Sequence, residues 1–369
     1  KKPLESIVFF GTPEFALPTL AALHEAGRTP VLVVSQPARP AGRGKELKDP
    51  PVAEWAREHG VELVQPESVK DPAFLDDLRG RKPDLAIVVA FGQIFPAELL
   101  EIPAHGCFNL HASLLPKYRG ASPIQAALIN GEKKTGVTVM RMDEGLDTGP
   151  ILAQHEVEIK PWHTAEELAP KLAEEGGALM VETLGLFEQG KVKERKQREE
   201  SASYSPRIDK DDGRCNWALS AEEIYNRLRA FTPWPGMKTN FRGRDLALVW
   251  GVPMDWEQAP IGVTGTFLGM RQGRMAVLCG DSTILGVEEL QRPGKKPVRA
   301  SDFEYSLERV FKLNSSGTYY YSAIVGAEEF AQTKRGGISG IVTDDESGEI
   351  RIELTGPRGT FANELGLPF

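Results

Sequence analysis

The stretch CFNLHASLLPKYRGASP sets Asn109 and His111 two residues apart at the end of an apolar run. In a β-strand, residues i and i+2 share a face, so an amide and an imidazole would leave such a strand side by side. Two further stretches carry polar groups next to turns. MDEGLDTGP (142–150) places Asp143, Glu144 and Asp147 on a glycine-containing loop, and VVAFGQIFP (88–96) ends an apolar run in Gly92-Gln93. An amide, an imidazole and a carboxylate together suit acyl transfer to an amine. The amide donates to an oxygen on which charge develops. The imidazole takes the amine's proton directly or through water, and a carboxylate fixes the ring's tautomer and orientation. The sequence has no Gly-x-Ser-x-Gly element, which favours direct transfer over a covalent intermediate. Spacing alone also fits a buried structural hydrogen bond between Asn109 and His111. No second His or Cys stands at ligand spacing, so no metal site is expected. His24, His59, His105, His155 and His163 lie in no motif and read as surface or packing residues.

The elements that must position these groups follow from periodicity. Short β-branched runs at 6–10, 31–34, 62–64, 85–90, 107–111 and 136–142 alternate with helical patterns at 51–59, near 72–79 and at 164–189. Thr12 with Pro13 reads as the start of another helix, running to about Ala26. Strands alternating with helices predict an α/β, Rossmann-like, mostly parallel sheet with helices on both faces. Ligands bind such sheets at the carboxyl ends of the strands, where Asn109 and His111 fall. Residues 191–213 are charged and poor in apolar groups and read as an interdomain linker. SAEEIYNRLRAFTPWPG (220–236) predicts an amphipathic helix capped by Ser220 and Glu223, and the short apolar runs after it predict a small OB-like β-barrel. The expected domains are therefore 1–190, a linker 191–213, a β-domain 214–303 and a tail 304–369.

Composition narrows the class. The 369 residues are 41% hydrophobic and 26% charged, with a net charge of −8. Apolar runs are too short for a bilayer span or a signal peptide's apolar region, so a cytoplasmic protein is expected. Cys107, Cys215 and Cys279 fit no paired spacing and read as reduced structural thiols. The net charge hides one local patch: SQPARPAGRGKELKDPP (35–51) carries Arg39, Arg43, Lys45 and Lys48 on a Pro/Gly-rich loop whose charge suits a phosphate backbone. A solvated surface loop is the plainer alternative, and no Walker phosphate loop is present.

FNLHASLLPKYRGASPIQ followed by GVTVMRMDEGLDTGPIL resembles the folate-dependent formyltransferases. The resemblance implies a catalytic set of Asn109, His111 and Asp147, with 10-formyltetrahydrofolate as formyl donor and no metal. It implies donor contacts from Ser113, Leu114, Leu115 and Pro116. The pterin would sit among backbone groups of Ala90, Phe91, Gly92, Gln93 and Ile94 and of Asp143, Glu144 and Gly145. FFGTPEFALPTL, QPARPAGRGK and RAFTPWPG are similar to those members that formylate the α-amine of methionyl initiator tRNA. They imply a tRNA partner met by Arg39, Arg43, Lys45 and Lys48, a monomer, and a role in translation initiation. Members acting on another amine, such as a UDP-amino sugar, share the core. The likeness covers about residues 4–303. The tail from 304 resembles instead an internal fragment of peptide-type solute-binding proteins of ABC importers, as a chimeric join would produce; within it ERVFKLN reads as a helix and GISGIVTDD…EIRIELT as a hairpin.

Overall fold

A computed structural model describes residues 4–41, 46–241, 244–257, 259–299, 341–344 and 349–352. The chain divides into two compact units, Lys1–Ile208 and Asp209–Phe369. In the first, strands β1 (Ile7–Gly11), β2 (Leu32–Val34), β3 (Arg39–Ala41), β4 (Glu46–Lys48), β5 (Glu62–Val64) and β6 (Leu85–Val89) are followed by β7 (Cys107–His111), β8 (Arg119–Gly120), β9 (Lys134–Arg141), β10 (Ile151–Glu158) and β11 (Tyr204–Ser205). The α-helices are α1 (Leu17–Glu25), α2 (Pro51–Glu58), α3 (Pro72–Arg81), α4 (Ala97–Glu101), α5 (Pro123–Ile129) and α6 (Ala165–Glu188).

Seven strands form one sheet in the order β10-β9-β7-β6-β1-β2-β5. The five from β7 to β5 run parallel, while β9 and β10 are antiparallel. Every residue of β1 and β6 is buried, as unbroken Val/Ile/Phe runs covered on both faces require. On one face Val8, Phe10, Leu32, Val34 and Val88 pack with Phe74, Leu75 and Leu78 of α3. On the other lies α6, opened by a capping box between Thr164 and Glu167. A Cβ on Gly176 would come within 2.5 Å of the Leu110 side chain, and one on Gly177 within 2.8 Å of the Pro18 carbonyl. Glycine at both positions lets α6 lie close to β7 and α1.

Two readings of the sequence need correction. Thr12 does not cap a helix: its hydroxyl donates to the Phe91 carbonyl at 2.9 Å, and residues Glu14–Ala16 form a 3-10 turn before α1 begins. A tertiary acceptor has taken the oxygen that local chemistry would have used as a cap. Residues 191–208 do not behave as a free linker. Arg195 pairs with Ile151, and Tyr204 and Ser205 pair in parallel with Arg119 and Gly120. The segment is held by backbone edges and polar side chains rather than by apolar burial, so its composition looks like that of a solvated chain.

In the second unit α7 (Ala221–Ala230) starts with the expected capping box from Ser220 and Glu223. Strands β12 (Met237–Phe241), β13 (Arg244–Met254), β14 (Phe267–Arg271), β15 (Arg274–Leu278), β16 (Ile284–Gln291) and β17 (Val298–Arg299) make an antiparallel sheet in the order β12-β13-β16-β15-β14, with β17 on β16. Among the described residues its end strands β12 and β14 are not paired with each other. In the tail, β18 (Ile341–Asp344) and β19 (Glu349–Ile352) form the expected antiparallel pair, while the helix expected at ERVFKLN lies outside the described residues. No helix among the described residues is long and apolar enough to cross a membrane.

Candidate active site

Register places the chemistry. Asn109 lies opposite Val88 of β6 on one side and Met140 of β9 on the other. Since β6 ends at Val89, the loop of residues 90–95 starts beside Asn109. The Asn109 side chain is half-buried and makes no hydrogen bond among the described residues. Its amide protons are thus available to a bound group.

His111, the last residue of β7, is 6% exposed. Its Nε2 lies 2.9 Å from the Tyr118 carbonyl, and its Nδ1 lies 3.6 Å from Asp147 Oδ2. The first is a hydrogen bond; the second is an electrostatic contact longer than one. With acceptors on both nitrogens, the ring donates to both only when it carries two protons. Asp147 Oδ2 also accepts from the Gly120 backbone N–H at 2.8 Å, which points the carboxylate at the ring. The loops here bend through unusual backbone: Ala90, Tyr118 and Asp147 have φ of 48°, 60° and 54°. Left-handed conformations at non-glycine residues persist only where the surroundings over-determine them.

The structure thus brings His111 and Asp147 together, with Asn109 two residues earlier on the same strand; the residues expected to contact the donor differ in their exposure. Ser113 is fully buried, and its hydroxyl donates to the Lys117 carbonyl at 2.6 Å. Leu115, 3% exposed, packs with Met140 and Ile151. The Thr138 hydroxyl ties the turn by donating to the Ser113 carbonyl and accepting from the Leu115 N–H, at 2.6 and 3.2 Å. The side chains of Ser113 and Leu115 therefore shape the loop from within, while Leu114 and Pro116 are half-buried. Phe91 is likewise a core residue, its ring 5.4 Å from that of Phe10. Gln93 turns away, accepting from the Val69 N–H at 2.9 Å. Ala90, Gly92 and Ile94 are exposed, as are Asp143, Glu144 and Gly145, and Leu146 is 57% exposed. Exposed apolar side chains on irregular loops suit a flat ring.

Nearby groups are ruled out as nucleophiles. Burial pushes the Cys107 thiol up to about 12, and the Tyr118 hydroxyl is raised by burial and donates to Glu132 at 2.8 Å. A cavity of about 470 Å³, lined by Leu115, Pro116, Ile151 and residues 195–198, contains none of the catalytic trio. On the basic loop, Arg39 and Lys48 face each other across the β3–β4 hairpin and are exposed; Arg43 and Lys45 lie outside the described residues.

Sequence reading missed the support behind the trio. Arg119 is fully buried and bonds to Gln197 and Glu199, and Gln197 in turn holds the Asp147 loop. No period or motif distinguishes a buried glutamine from a solvated one, so the signal in KERKQREESASYS was absent.

Residues 5–184 match the family model "Formyl transferase", and residues 207–307 match "Formyl transferase, C-terminal domain". The chain is 50% identical over 299 residues to a methionyl-tRNA formyltransferase of Acidobacterium capsulatum, covering 80% of this chain and 95% of that one. A methionyl-tRNA formyltransferase of Geobacter metallireducens is 45% identical, covering 81% and 94%. Among solved structures, the sugar 3N-formyltransferase WlaRD aligns with a TM-score of 0.57 at 20% identity, covering 80% of this chain and all of that one. An N-formyltransferase of Helicobacter canadensis aligns with a TM-score of 0.57 at 18% identity, covering 78% and 99%. At those identities the two structures speak to the fold alone. The family models end at residue 307, and none of these matches supports the likeness of the tail to a solute-binding protein. With both halves matched in order, the chain belongs to the formyltransferase family.

Proposed function

We propose that this protein transfers the formyl group of 10-formyltetrahydrofolate to the α-amine of methionyl initiator tRNA, in preparation for translation initiation. The observation that carries the reading is the approach of Asp147 to His111, two residues past Asn109 on β7, in a chain 50% identical to a methionyl-tRNA formyltransferase. The donor supplies a formyl carbon bonded to a nitrogen leaving group. Asn109 offers its amide N–H to the formyl oxygen as negative charge gathers there. His111 is held by the Tyr118 carbonyl and the Asp147 carboxylate, so its ring cannot swing away and, when it carries two protons, its charge favours the same oxygen. Asp147, fixed by the Gly120 N–H, is the carboxylate beside the ring and takes up the amine's proton directly or through water, for return to the leaving nitrogen.

Ala90, Gly92, Ile94, Asp143, Glu144 and Gly145 form the wall for the pterin through backbone groups and apolar contact, and Leu114 and Pro116 edge the same site. Arg39 and Lys48, with Arg43 and Lys45, meet the phosphates of the acceptor arm, and the second unit binds tRNA as well. The domains are a catalytic part, the β-domain and a tail from about 304 of separate origin. The protein acts in the cytoplasm as a monomer.

The test is formyl transfer by the full chain from 10-formyltetrahydrofolate to methionyl initiator tRNA, run beside a UDP-amino sugar acceptor. Formyl-methionyl-tRNA as the product supports the reading. Formylation of the sugar alone overturns it.

A further inference from the structure

The segment that follows the catalytic sheet is wired into the site at three points. Gln197, 5% exposed, uses both ends of its amide. Its Nε2 donates to the carbonyls of Asp147 and Gly149 at 2.7 and 2.8 Å, one on each side of Thr148. Its Oε1 accepts from Arg119 Nε at 3.1 Å. Arg119 is fully buried, and its two terminal nitrogens donate to the Glu199 carboxylate at 2.9 and 2.8 Å. Just past the loop, Arg195 and Ile151 exchange backbone hydrogen bonds of 2.8 and 2.9 Å. On the histidine side, the Ser203 hydroxyl accepts from the Tyr118 N–H at 2.9 Å, and the Ser205 hydroxyl donates to the Tyr118 carbonyl at 3.3 Å. That carbonyl is the one His111 uses.

We propose that Gln197 is a positioning residue for formyl transfer: through its two donated hydrogen bonds it holds the left-handed backbone of Asp147 and thereby the carboxylate that faces His111. The proposal rests on the trio's role set out above. A glutamine side chain suits the post because its carboxamide supplies two donors to paired carbonyls and one acceptor to a guanidinium without bringing a charge. The Asp147 backbone, at φ 54°, lies in a region that aspartate tolerates better than most residues but does not prefer, so a restraint helps to hold it there. Misplacement of a catalytic group by about 1 Å costs about a hundredfold in rate, so a clamp on the main chain of Asp147 acts on turnover before it acts on substrate affinity.

Gln197→Glu keeps the shape and the Arg119 contact but sets carboxylate oxygens against two carbonyls; Gln197→Met keeps the length with neither donor nor charge. Both are checked for fold by circular dichroism. The expected result is a fall in kcat of about ten- to a hundredfold, with KM for donor and tRNA changed by less than about threefold. In an Asp147→Asn background, the same change at Gln197 should cost little more, because its effect runs through Asp147. Equal fold-losses in both backgrounds would mean a general loosening and overturn the proposal, as would wild-type kcat in both variants. Hydrogen exchange gives a readout independent of the acceptor: peptides covering 143–150 should exchange faster in both variants while α6 stays unchanged. If the wild type formylates no methionyl-tRNA, the function reading fails while the exchange experiment still decides the clamp; unchanged exchange at 143–150 sinks it.

Discussion

Replacing Asn109 by alanine removes a side chain whose amide donors are unspent among the described residues. Because the half-buried amide bonds to none of the described residues, its removal orphans no buried partner among them. The stability change should therefore stay within about 1 kcal/mol. The catalytic cost is of a different size. A fixed donor to a developing oxyanion is worth about 3 kcal/mol, which at about 1.4 kcal/mol per decade is about two decades in kcat. The interaction strengthens only as charge develops, so KM for both substrates should hardly move. Asn109→Asp, with the same shape but an acceptor in place of the donor, should fall further. The assay is steady-state formylation of methionyl-tRNA at saturating donor, with tRNA affinity measured separately by filter binding. An Asn109→Ala enzyme within about threefold of wild-type kcat would refute the reasoning, and a loss confined to KM would reassign Asn109 to ground-state binding.

Other consequences are open to measurement. A Cβ at Gly149 would sit 1.8 Å from the Arg141 carbonyl, so Gly149→Ala must shift the backbone that carries Asp147. We expect more than a tenfold loss of kcat and about 1–3 kcal/mol of stability, followed by turnover and thermal melting; a fully active Gly149→Ala enzyme would show that the loop tolerates displacement. Arg28 holds the Glu188 carboxyl below the usual carboxylate range, chiefly through a bidentate pair of 2.7 and 2.6 Å, with the Leu4 N–H adding to it. A carboxylate lowered on folding contributes stability that is fully present above its unfolded value of about 4.3 and is lost as pH falls through the lower folded value. The melting temperature should thus drop below about pH 4.5, and Glu188→Gln should flatten that part of the curve; identical slopes in both proteins would remove the pair from the account. For the basic hairpin, Arg39→Ala with Lys48→Ala should weaken tRNA binding most at low salt, reducing the slope of log affinity against log salt by about 1.5. An unchanged slope would leave the hairpin without a phosphate role.

Much of the site was legible because its chemistry is written in local pattern. Asn109 and His111 advertise themselves by strand period and by the loop that follows, and the glycines of 142–150 mark an irregular loop with a carboxylate. The sheet was legible for the same reason: buried parallel strands read as unbroken β-branched runs, and β1 and β6 are such runs. What failed were residues whose role depends on distant partners. Thr12 carries a capping signature, yet its hydroxyl serves Phe91 from 79 positions away. Residues 191–208 hold more structure than their composition shows. Their polar composition fits a solvated linker, and only the exposed edges of β8 and β10 turn it into structure. Arg119 carries no pattern that marks it as buried, yet it lies buried on Glu199 and Gln197.

The most direct test of the central claim is a double-mutant cycle on His111 and Asp147 in single-turnover formylation of methionyl-tRNA, with donor and enzyme in excess. If the ring and the carboxylate act as one unit, His111→Asn and Asp147→Asn should each cost about three decades, and the pair together should cost little more than either alone. Losses that multiply in the double variant, or an Asp147→Asn enzyme with near wild-type turnover, would contradict it.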